Sequence, residues 1–234
     1  MQLPFFYDER VGGVHGIIRL SAENSKYIAQ VLRMKPGERI VLTDGKGAEV
    51  TAEISVADKR VTEATIIETK LHALPEVRTA IAISLLKNEN RLEWFVEKAT
   101  ELGINSVILL QCERTEKKSC RTSRLESIMV SAMLQSRQFF LPKLTEPIVP
   151  KEVINDQGYD QRLIAHCIEE RPRMVLKDVS DASKSRLLLI GPEGDFSPDE
   201  VATFEKAGFI GVSLGHNRLR TETAGIAAAV LLVS

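Results

Sequence analysis

Two glycine-bearing segments in the last fifth of the chain combine residue types that could hold a ligand and carry chemistry on it. The first spans residues 189–197 and reads LIGPEGDFS, and the second spans residues 214–224 and reads LGHNRLRTETA. Each follows a short apolar run typical of a buried strand and precedes a predicted helix. Glycine lets the backbone approach a ligand closely, and amides at a helix start can face it. The two loops therefore predict a ligand crevice at the strand ends of an α/β sheet.

The second loop also carries more charge than a plain turn requires. Arg218, Arg220 and Glu222 surround its glycine. A guanidinium can bind a phosphate or stabilise negative charge on a carbonyl oxygen, which would suit Arg220 as a catalytic group. The alternative is structural, with Arg220 at the start of the last helix and paired to Glu222. Glu193 in the first loop has the same two interpretations, as a functional carboxylate or as part of a turn.

These two loops closely resemble those of the RsmE-type 16S ribosomal RNA uridine-N3 methyltransferases of the SPOUT superfamily. Shorter stretches in the expected order extend the resemblance over essentially the whole chain: VLR at 31–33, DGKG at 44–47, EKATELG at 97–103, ERT at 113–115 and QS at 135–136. The resemblance implies methyl transfer from S-adenosyl-L-methionine to N3 of a uridine in small-subunit ribosomal RNA. It also implies a homodimer and a C-terminal segment threaded into a deep trefoil knot.

The resemblance assigns roles to individual residues. Cofactor binding is expected from both loops, through Leu189, Ile190, Gly191, Gly194, Leu214, Gly215, Asn217 and Leu219. The catalytic candidates are Arg220, Glu222 and Glu193. RNA contacts are expected from Arg33, Arg10, Arg114, Arg121 and Arg124. The chain departs from the family pattern in two places: Asp195 stands where the family loop GPEGG often ends in glycine, and residues 216–218 read HNR where the family often has Pro-Arg-Ile.

Composition bounds the possibilities for this chain of 234 residues. It is 44% hydrophobic and 27% charged, as in a soluble globular protein. A formal net charge of −1 argues against a protein that binds nucleic acid through its overall field. Residues 113–143 nevertheless hold seven basic and three acidic side chains, which predicts either a phosphate-contacting strip or a solvated face.

The cysteines and histidines indicate neither disulfides nor a metal site. Three cysteines without C-x-x-C spacing and four scattered histidines form no ligand set. The N-terminus lacks a signal-peptide pattern, and the apolar run 225–233 is too short to cross a bilayer. These observations favour a cytoplasmic protein without a metal.

The elements that must position the loops fall into two predicted domains. Residues 1–71 are strand-rich, with a hairpin turn at Asp44–Gly45 and one amphipathic helix around residues 27–32. They resemble a PUA-like RNA-binding β-barrel. Residues 72–78 are predicted to be a linker. Residues 79–234 alternate strands and helices, which predicts a parallel sheet, so the overall class is α/β.

Three alternatives compete with the uridine-N3 methyltransferase. A non-catalytic RNA-binding assembly factor would need neither the two glycines nor Arg220, all of which are present. A methyltransferase acting on another RNA would keep the same loops. A nucleotide-binding α/β enzyme would require a phosphate-binding lysine loop or an early G-x-G-x-x-G, and the chain has neither.

Overall fold

A computed structural model of the chain describes residues 3–13, 15–155 and 158–234. Met1 and Gln2 of the first predicted domain lie outside the described residues. The chain divides into two compact units, one of Met1–Leu74 with Met133–Leu141 and one of Pro75–Ala132 with Pro142–Ser234. The predicted division at residues 72–78 did not place residues 133–141 with the first unit.

The first unit is built on one five-stranded sheet, in the order β1-β3-β4-β5-β2. β1 and β3 are parallel and the other neighbours are antiparallel. Buried and partly exposed residues alternate along β4, so that one face of this strand covers the core. The strand-rich character predicted for residues 1–71 is confirmed, and the strands form a curled sheet, a half-barrel. The strands are β1 (Phe5–Tyr7), β2 (Ile17–Arg19), β3 (Arg39–Thr43), β4 (Ala48–Val56) and β5 (Glu63–Leu71).

The predicted amphipathic helix of the first unit is present in two parts. Helix α1 (Ala22–Lys26) begins at Ser21, whose hydroxyl accepts a hydrogen bond from the amide of Asn24. It continues as a π-helix over Tyr27–Leu32, which buries Ile28 in the core. Arg33 ends this segment in the left-handed region, with φ 53°.

The hairpin turn at residues 44–47 is the place where residues 133–141 join the first unit. Gly45 and Gly47 both have positive φ, as glycine allows. The amide of Gly47 donates to the carbonyl of Phe139, and the ring of Phe139 stacks on His72 with centroids 4.3 Å apart. A Cβ at Gly47 would lie 2.7 Å from Phe140, so this contact also requires glycine.

The second unit is built on a seven-stranded parallel sheet, in the order β10-β12-β9-β11-β6-β7-β8. Every residue of β6 and β11 is buried, as expected for central strands that are covered on both faces. The parallel sheet predicted from the alternating elements is confirmed, whereas β8 and β10 were not predicted. The strands are β6 (Thr79–Ser84), β7 (Ser106–Leu110), β8 (Lys143–Ile148), β9 (Gln161–Ala165), β10 (Met174–Val175), β11 (Arg186–Ile190) and β12 (Ile210–Ser213).

The helices of the second unit begin and end where their capping residues indicate. Gly103 ends α2 in the left-handed region, with φ 88°. Ser197 and Glu200 form a capping box at the start of α6, with Pro198 in the first turn. The helices are α2 (Glu89–Leu102), α3 (Thr122–Gln135), α4 (Pro150–Ile154), α5 (Leu176–Val179), α6 (Pro198–Lys206) and α7 (Thr221–Val233). None of the helices that the structure describes is long and apolar enough to span a membrane.

Helix α7 lies close against α2 because a glycine faces an aromatic ring. A Cβ placed on Gly225 would lie 2.6 Å from two ring carbons of Phe95 and 3.2 Å from Ile83. Both neighbours are fully buried. The position of α7, and of the loop that precedes it, therefore depends on Gly225.

We predict that Gly225→Ala destabilises the protein by about 1–3 kcal/mol, because the added methyl group overpacks a fully buried contact. Urea unfolding would measure the change. Gly194→Ala is the matched control, since its Cβ would meet the nearest atom at an ordinary 3.6 Å. Phe95→Leu should restore part of the stability lost in Gly225→Ala. Equal stability of the two alanine variants would contradict the packing argument.

Candidate functional site

A cavity of about 600 Å³ lies at the carboxyl ends of the parallel strands in the second unit. The loops that follow β9, β11 and β12 form most of its wall, and α2 contributes Arg91. Both glycine-bearing loops of the sequence therefore meet at one site, as predicted. The residues around the cavity include Ala165, His166, Cys167, Glu169, Arg173, Ile190, Gly191, Glu193, Asp195, Leu214, Gly215, Asn217, Arg218, Leu219 and Arg220.

The loop after β12 combines an unusual backbone with free cationic side chains. Gly215 has φ 141°, and among the described residues no atom beyond its chain neighbours lies within 4 Å of a Cβ built on it, so its need for glycine is conformational. Arg220 precedes the first turn of α7, and its side chain forms no cap hydrogen bond. Within the described part of the chain, the guanidinium groups of Arg218 and Arg220 have no ion-pair partner. Both charges therefore remain available to a ligand.

The loop after β11 is bound to its neighbours by its carboxylates. Three acidic side chains of residues 193–200 each accept a hydrogen bond from a backbone amide in a different loop. These loops follow β6, β7 and β9, so the carboxylates connect four strand ends of the sheet. The bonds run from Lys87 N to Glu193 Oε1 (3.1 Å), from Glu113 N to Glu200 Oε1 (2.9 Å) and from Cys167 N to Asp195 Oδ2 (2.7 Å).

The turn within this loop is tight. A Cβ on Gly191 would lie 3.0 Å from both the amide nitrogen and the ring of Phe196, which is fully buried. Asp195 has φ 64°, in the left-handed region where glycine is most at ease and where aspartate and asparagine are tolerated. The backbone geometry thus gives a physical reason why a glycine can occupy position 195 in the resembled family.

Glu222 lies in the wall behind the cavity. Its side chain is 9% exposed, and Oε1 is 3.6 Å from Nε of Arg91, which does line the cavity. The other oxygen, Oε2, is buried without a hydrogen-bond partner among the described residues. Glu222 thus reaches the cavity through Arg91, a residue that sequence reasoning missed because it precedes the loops by about 100 residues or more.

His166 is a second residue that sequence reasoning missed. It is buried, and neither ring nitrogen has a hydrogen-bond partner among the described residues. Burial lowers the pKa of its imidazole, which favours the neutral ring, and the nearby carboxylate of Asp195 opposes this shift. Residue spacing does not reveal His166, because its place beside the cavity depends on where the end of β9 lies in the folded sheet.

Two of the predicted cofactor residues lie outside the cavity lining. Leu189 is fully buried in β11, in the hydrophobic core beneath the loop. Gly194 is exposed, and its carbonyl oxygen accepts a hydrogen bond from Nη1 of Arg114 at 2.9 Å. Within the described ranges, Arg114 is consequently the one predicted RNA contact that bonds directly to a loop of the site.

The other predicted RNA contacts differ in how far their charge is already used. Arg10 forms two hydrogen bonds with the buried carboxylate of Asp8 and a third with a backbone carbonyl, so its donors serve the first unit. Arg121 and Arg124 are exposed and pair with carboxylates of α2, at 3.3 Å from Glu89 and 3.4 Å from Glu93. Arg33 is exposed and, among the described residues, unpaired.

The site can be compared with known proteins. A family model described as an RNA methyltransferase domain matches residues 73–233, and one described as an RNA methyltransferase PUA domain matches residues 20–66. The chain belongs to this RNA methyltransferase family. The ribosomal RNA small subunit methyltransferase E of Rickettsia conorii is 30% identical over 226 residues, covering 88% of this chain and 89% of the relative.

Solved structures of family members match over nearly the full chain. A probable rRNA-methyltransferase from Porphyromonas gingivalis is 39% identical, with a TM-score of 0.90 over 97% of this chain and 95% of the other. A ribosomal RNA small subunit methyltransferase E from Neisseria gonorrhoeae, solved bound to S-adenosyl methionine, is 28% identical, with a TM-score of 0.85 over 97% and 95% of the two chains. The resemblance inferred from the loops is confirmed.

We predict that Glu200→Ala lowers the free energy of unfolding by about 1–2 kcal/mol, because it removes a capping box and the bond to the Glu113 amide. Urea unfolding would measure the loss. Asp199→Ala is the matched control, an acidic residue in the same helical turn whose side chain forms no hydrogen bond within the described ranges. A control that loses as much stability as Glu200→Ala would contradict this role.

Proposed function

We propose that this protein transfers a methyl group from S-adenosyl-L-methionine to N3 of a uridine in 16S ribosomal RNA. The observation that carries the proposal is the cavity between the two glycine loops, in a chain whose family and solved relatives are ribosomal RNA methyltransferases. Because ribosomal RNA is the substrate, we place the activity in the cytoplasm. Mass-spectrometric mapping of small-subunit RNA from a deletion strain tests the proposal: loss of one methylated uridine supports it, and an intact map contradicts it.

The composition of the cavity supports binding of the cofactor. S-adenosyl-L-methionine carries an adenine, a ribose and an amino-acid tail, and it supplies an activated methyl group when bound. Apolar side chains and exposed loop backbone can accommodate an adenine, and both occur together on the two loops. Ile190, Gly191, Leu214, Gly215, Asn217 and Leu219 would hold it, with Leu189 packed behind the strand end and Gly194 at the outer edge of the loop.

Catalysis by the protein would consist mainly of positioning and charge stabilisation. The N3 proton of uracil is weakly acidic, so negative charge develops on the base as the proton leaves. The unpaired guanidinium of Arg220 would stabilise that charge on a uracil carbonyl oxygen. Glu193 lines the cavity and would be the carboxylate that accepts the N3 proton, whereas Glu222 would act by orienting Arg91.

RNA binding would use the exposed arginines. Arg33 has no carboxylate partner among the residues that the structure describes, and Arg114 adjoins the first loop. Arg121 and Arg124 pair with surface carboxylates, and such pairs are weak enough to exchange for phosphates. Arg10 forms an ion pair with Asp8, so its contribution to RNA binding is not required by the proposal.

The family resemblance further supports a homodimer and a knotted C-terminal segment. Helix α7 is apolar on several sides: Val230 and Val233 are about 40% exposed, and Trp94 of α2 is 44% exposed. A second copy of the chain would cover these side chains. The knot would arise from the segment that contains the second glycine loop and α7.

Gly215→Val should abolish binding of S-adenosylmethionine, because a β-branched residue cannot adopt the backbone conformation of the second loop. Calorimetry measures the affinity. Alkylation of Cys167, an exposed cavity residue, provides a second measurement, since the cofactor should protect it in wild type but not in Gly215→Val. Gly194→Val is the control outside the cavity lining and should retain binding. Wild-type affinity in Gly215→Val would contradict the site assignment.

Arg220→Ala and Arg33→Ala should separate chemistry from RNA binding. Arg220→Ala should reduce turnover by about a hundredfold or more, because its charge matters most when the uracil becomes anionic. Arg33→Ala should instead weaken RNA binding and reduce its salt dependence by about one phosphate contact, with cofactor binding unchanged. Steady-state kinetics and RNA titrations at several salt concentrations measure both. Unchanged turnover in the first variant and unchanged RNA affinity in the second would refute these roles.

Sedimentation at micromolar concentration should give about twice the 26.0 kDa chain mass. Val230→Glu together with Val233→Glu should shift the protein to the monomer, since buried unpaired carboxylates disfavour an apolar interface. A wild-type monomer with full activity would contradict the proposed dimer.

A further inference from the structure

We propose that Asp195 is a positioning residue for cofactor binding, which fixes the loop after β9 as one wall of the cavity. This inference rests on the proposed function, because the ligand it concerns is the proposed cofactor. It concerns a residue in which this chain departs from the glycine often found in the resembled family.

The carboxylate of Asp195 joins two segments of the chain. Its Oδ2 accepts a hydrogen bond from the amide of Cys167 at 2.7 Å, and its Oδ1 accepts one from the amide of Phe196 at 2.8 Å. Both oxygens are thus used by backbone amides, one in the first glycine loop and one in the loop after β9. Hydrogen bonds to a carboxylate are stronger than those to a neutral acceptor, so these two bonds hold the loop after β9 to the first glycine loop.

The backbone conformation at position 195 does not require aspartate. The hydrogen bonds to its side chain do. Its φ of 64° is uncommon for a residue with a Cβ, and glycine would adopt it more easily. The amide of Asp195 donates to the carbonyl of Pro192, which a glycine would also do. Glycine would therefore preserve the turn and remove the two side-chain acceptors, one for the Cys167 amide and one for the Phe196 amide.

The loop that Asp195 holds forms a substantial part of the cavity. Ala165, His166, Cys167 and Glu169 all line it. A second hydrogen bond in this region joins Nη1 of Arg173 to the carbonyl of His166 at 3.0 Å. If the hydrogen bond to Asp195 were lost, the exposed Cys167 amide would hydrogen-bond to water. The cofactor would then have to order this wall on binding.

The test compares Asp195→Gly and Asp195→Asn with the control Asp199→Asn, which loses the same charge at an exposed position of the following helix. Calorimetry with S-adenosylmethionine and with its demethylated product measures affinity. Asp195→Gly should weaken both at least about tenfold, equivalent to ~1.4 kcal/mol. Asp195→Asn should lose less, because its single carbonyl oxygen can accept one of the two amides. Asp199→Asn should bind like wild type.

Two further measurements distinguish positioning from general destabilisation. Amide hydrogen exchange at Cys167 should be faster in ligand-free Asp195→Gly and should slow again when the demethylated product is bound. In steady-state assays, KM for S-adenosylmethionine should rise while kcat at saturation stays unchanged, because Asp195 does not touch the reacting atoms.

Wild-type affinity in Asp195→Gly would overturn the inference. So would an equal loss in Asp199→Asn, which would point to net charge, or a fall in kcat without a change in KM. If the wild-type chain bound neither ligand, the proposed function would fail instead, and exchange at Cys167 would still decide whether Asp195 holds the loop.

Discussion

The functional end of the second unit depends on hydrogen bonds from backbone amides to carboxylates of the loop after β11 and of the first turn of α6. At the carboxyl ends of parallel strands the chain leaves the sheet, and the amides of the departing loops lose their regular partners. Glu193, Asp195 and Glu200 supply acceptors to three of these loops. These hydrogen bonds position the neighbouring loops relative to the loop after β11.

This arrangement explains why one short segment holds so many different residue types. Glycine at 191 allows the chain to turn beneath Phe196, whose ring anchors the loop in the core. Ser197 and Glu200 then start α6 with a capping box, and Glu200 has a further oxygen for the amide of Glu113. A carboxylate that the sequence suggests as a catalytic candidate can therefore also stabilise the fold. Glu193 both lines the cavity and accepts the hydrogen bond from the Lys87 amide.

The loop after β12 has the opposite character. Its charged side chains are exposed and, within the described ranges, unpaired, and its glycine is needed for backbone conformation. The hydrogen-bonded loop after β11 suits a wall that positions the cofactor. The loop after β12, with its exposed cationic groups, suits a wall that contacts an anionic substrate. The tight contact of Gly225 with Phe95 holds α7, the helix that follows this loop, against α2.

Local sequence patterns determined much of this protein. The parallel sheet of the second unit, the capping box at Ser197 and the C-cap at Gly103 follow from hydrophobic periodicity and from residues with special backbone preferences, which act over a few positions. The meeting of the two glycine loops was also predictable, because parallel strands place their carboxyl ends at one edge. Tertiary structure alone decided which side chains share the cavity. Arg91 and His166 enter it from distant elements, and residues 133–141 join the first unit through contacts with the turn at 44–47. Such contacts depend on strand order and on which hydrogen-bond donors the fold leaves unpaired, and neither is encoded in the spacing of residues along the chain.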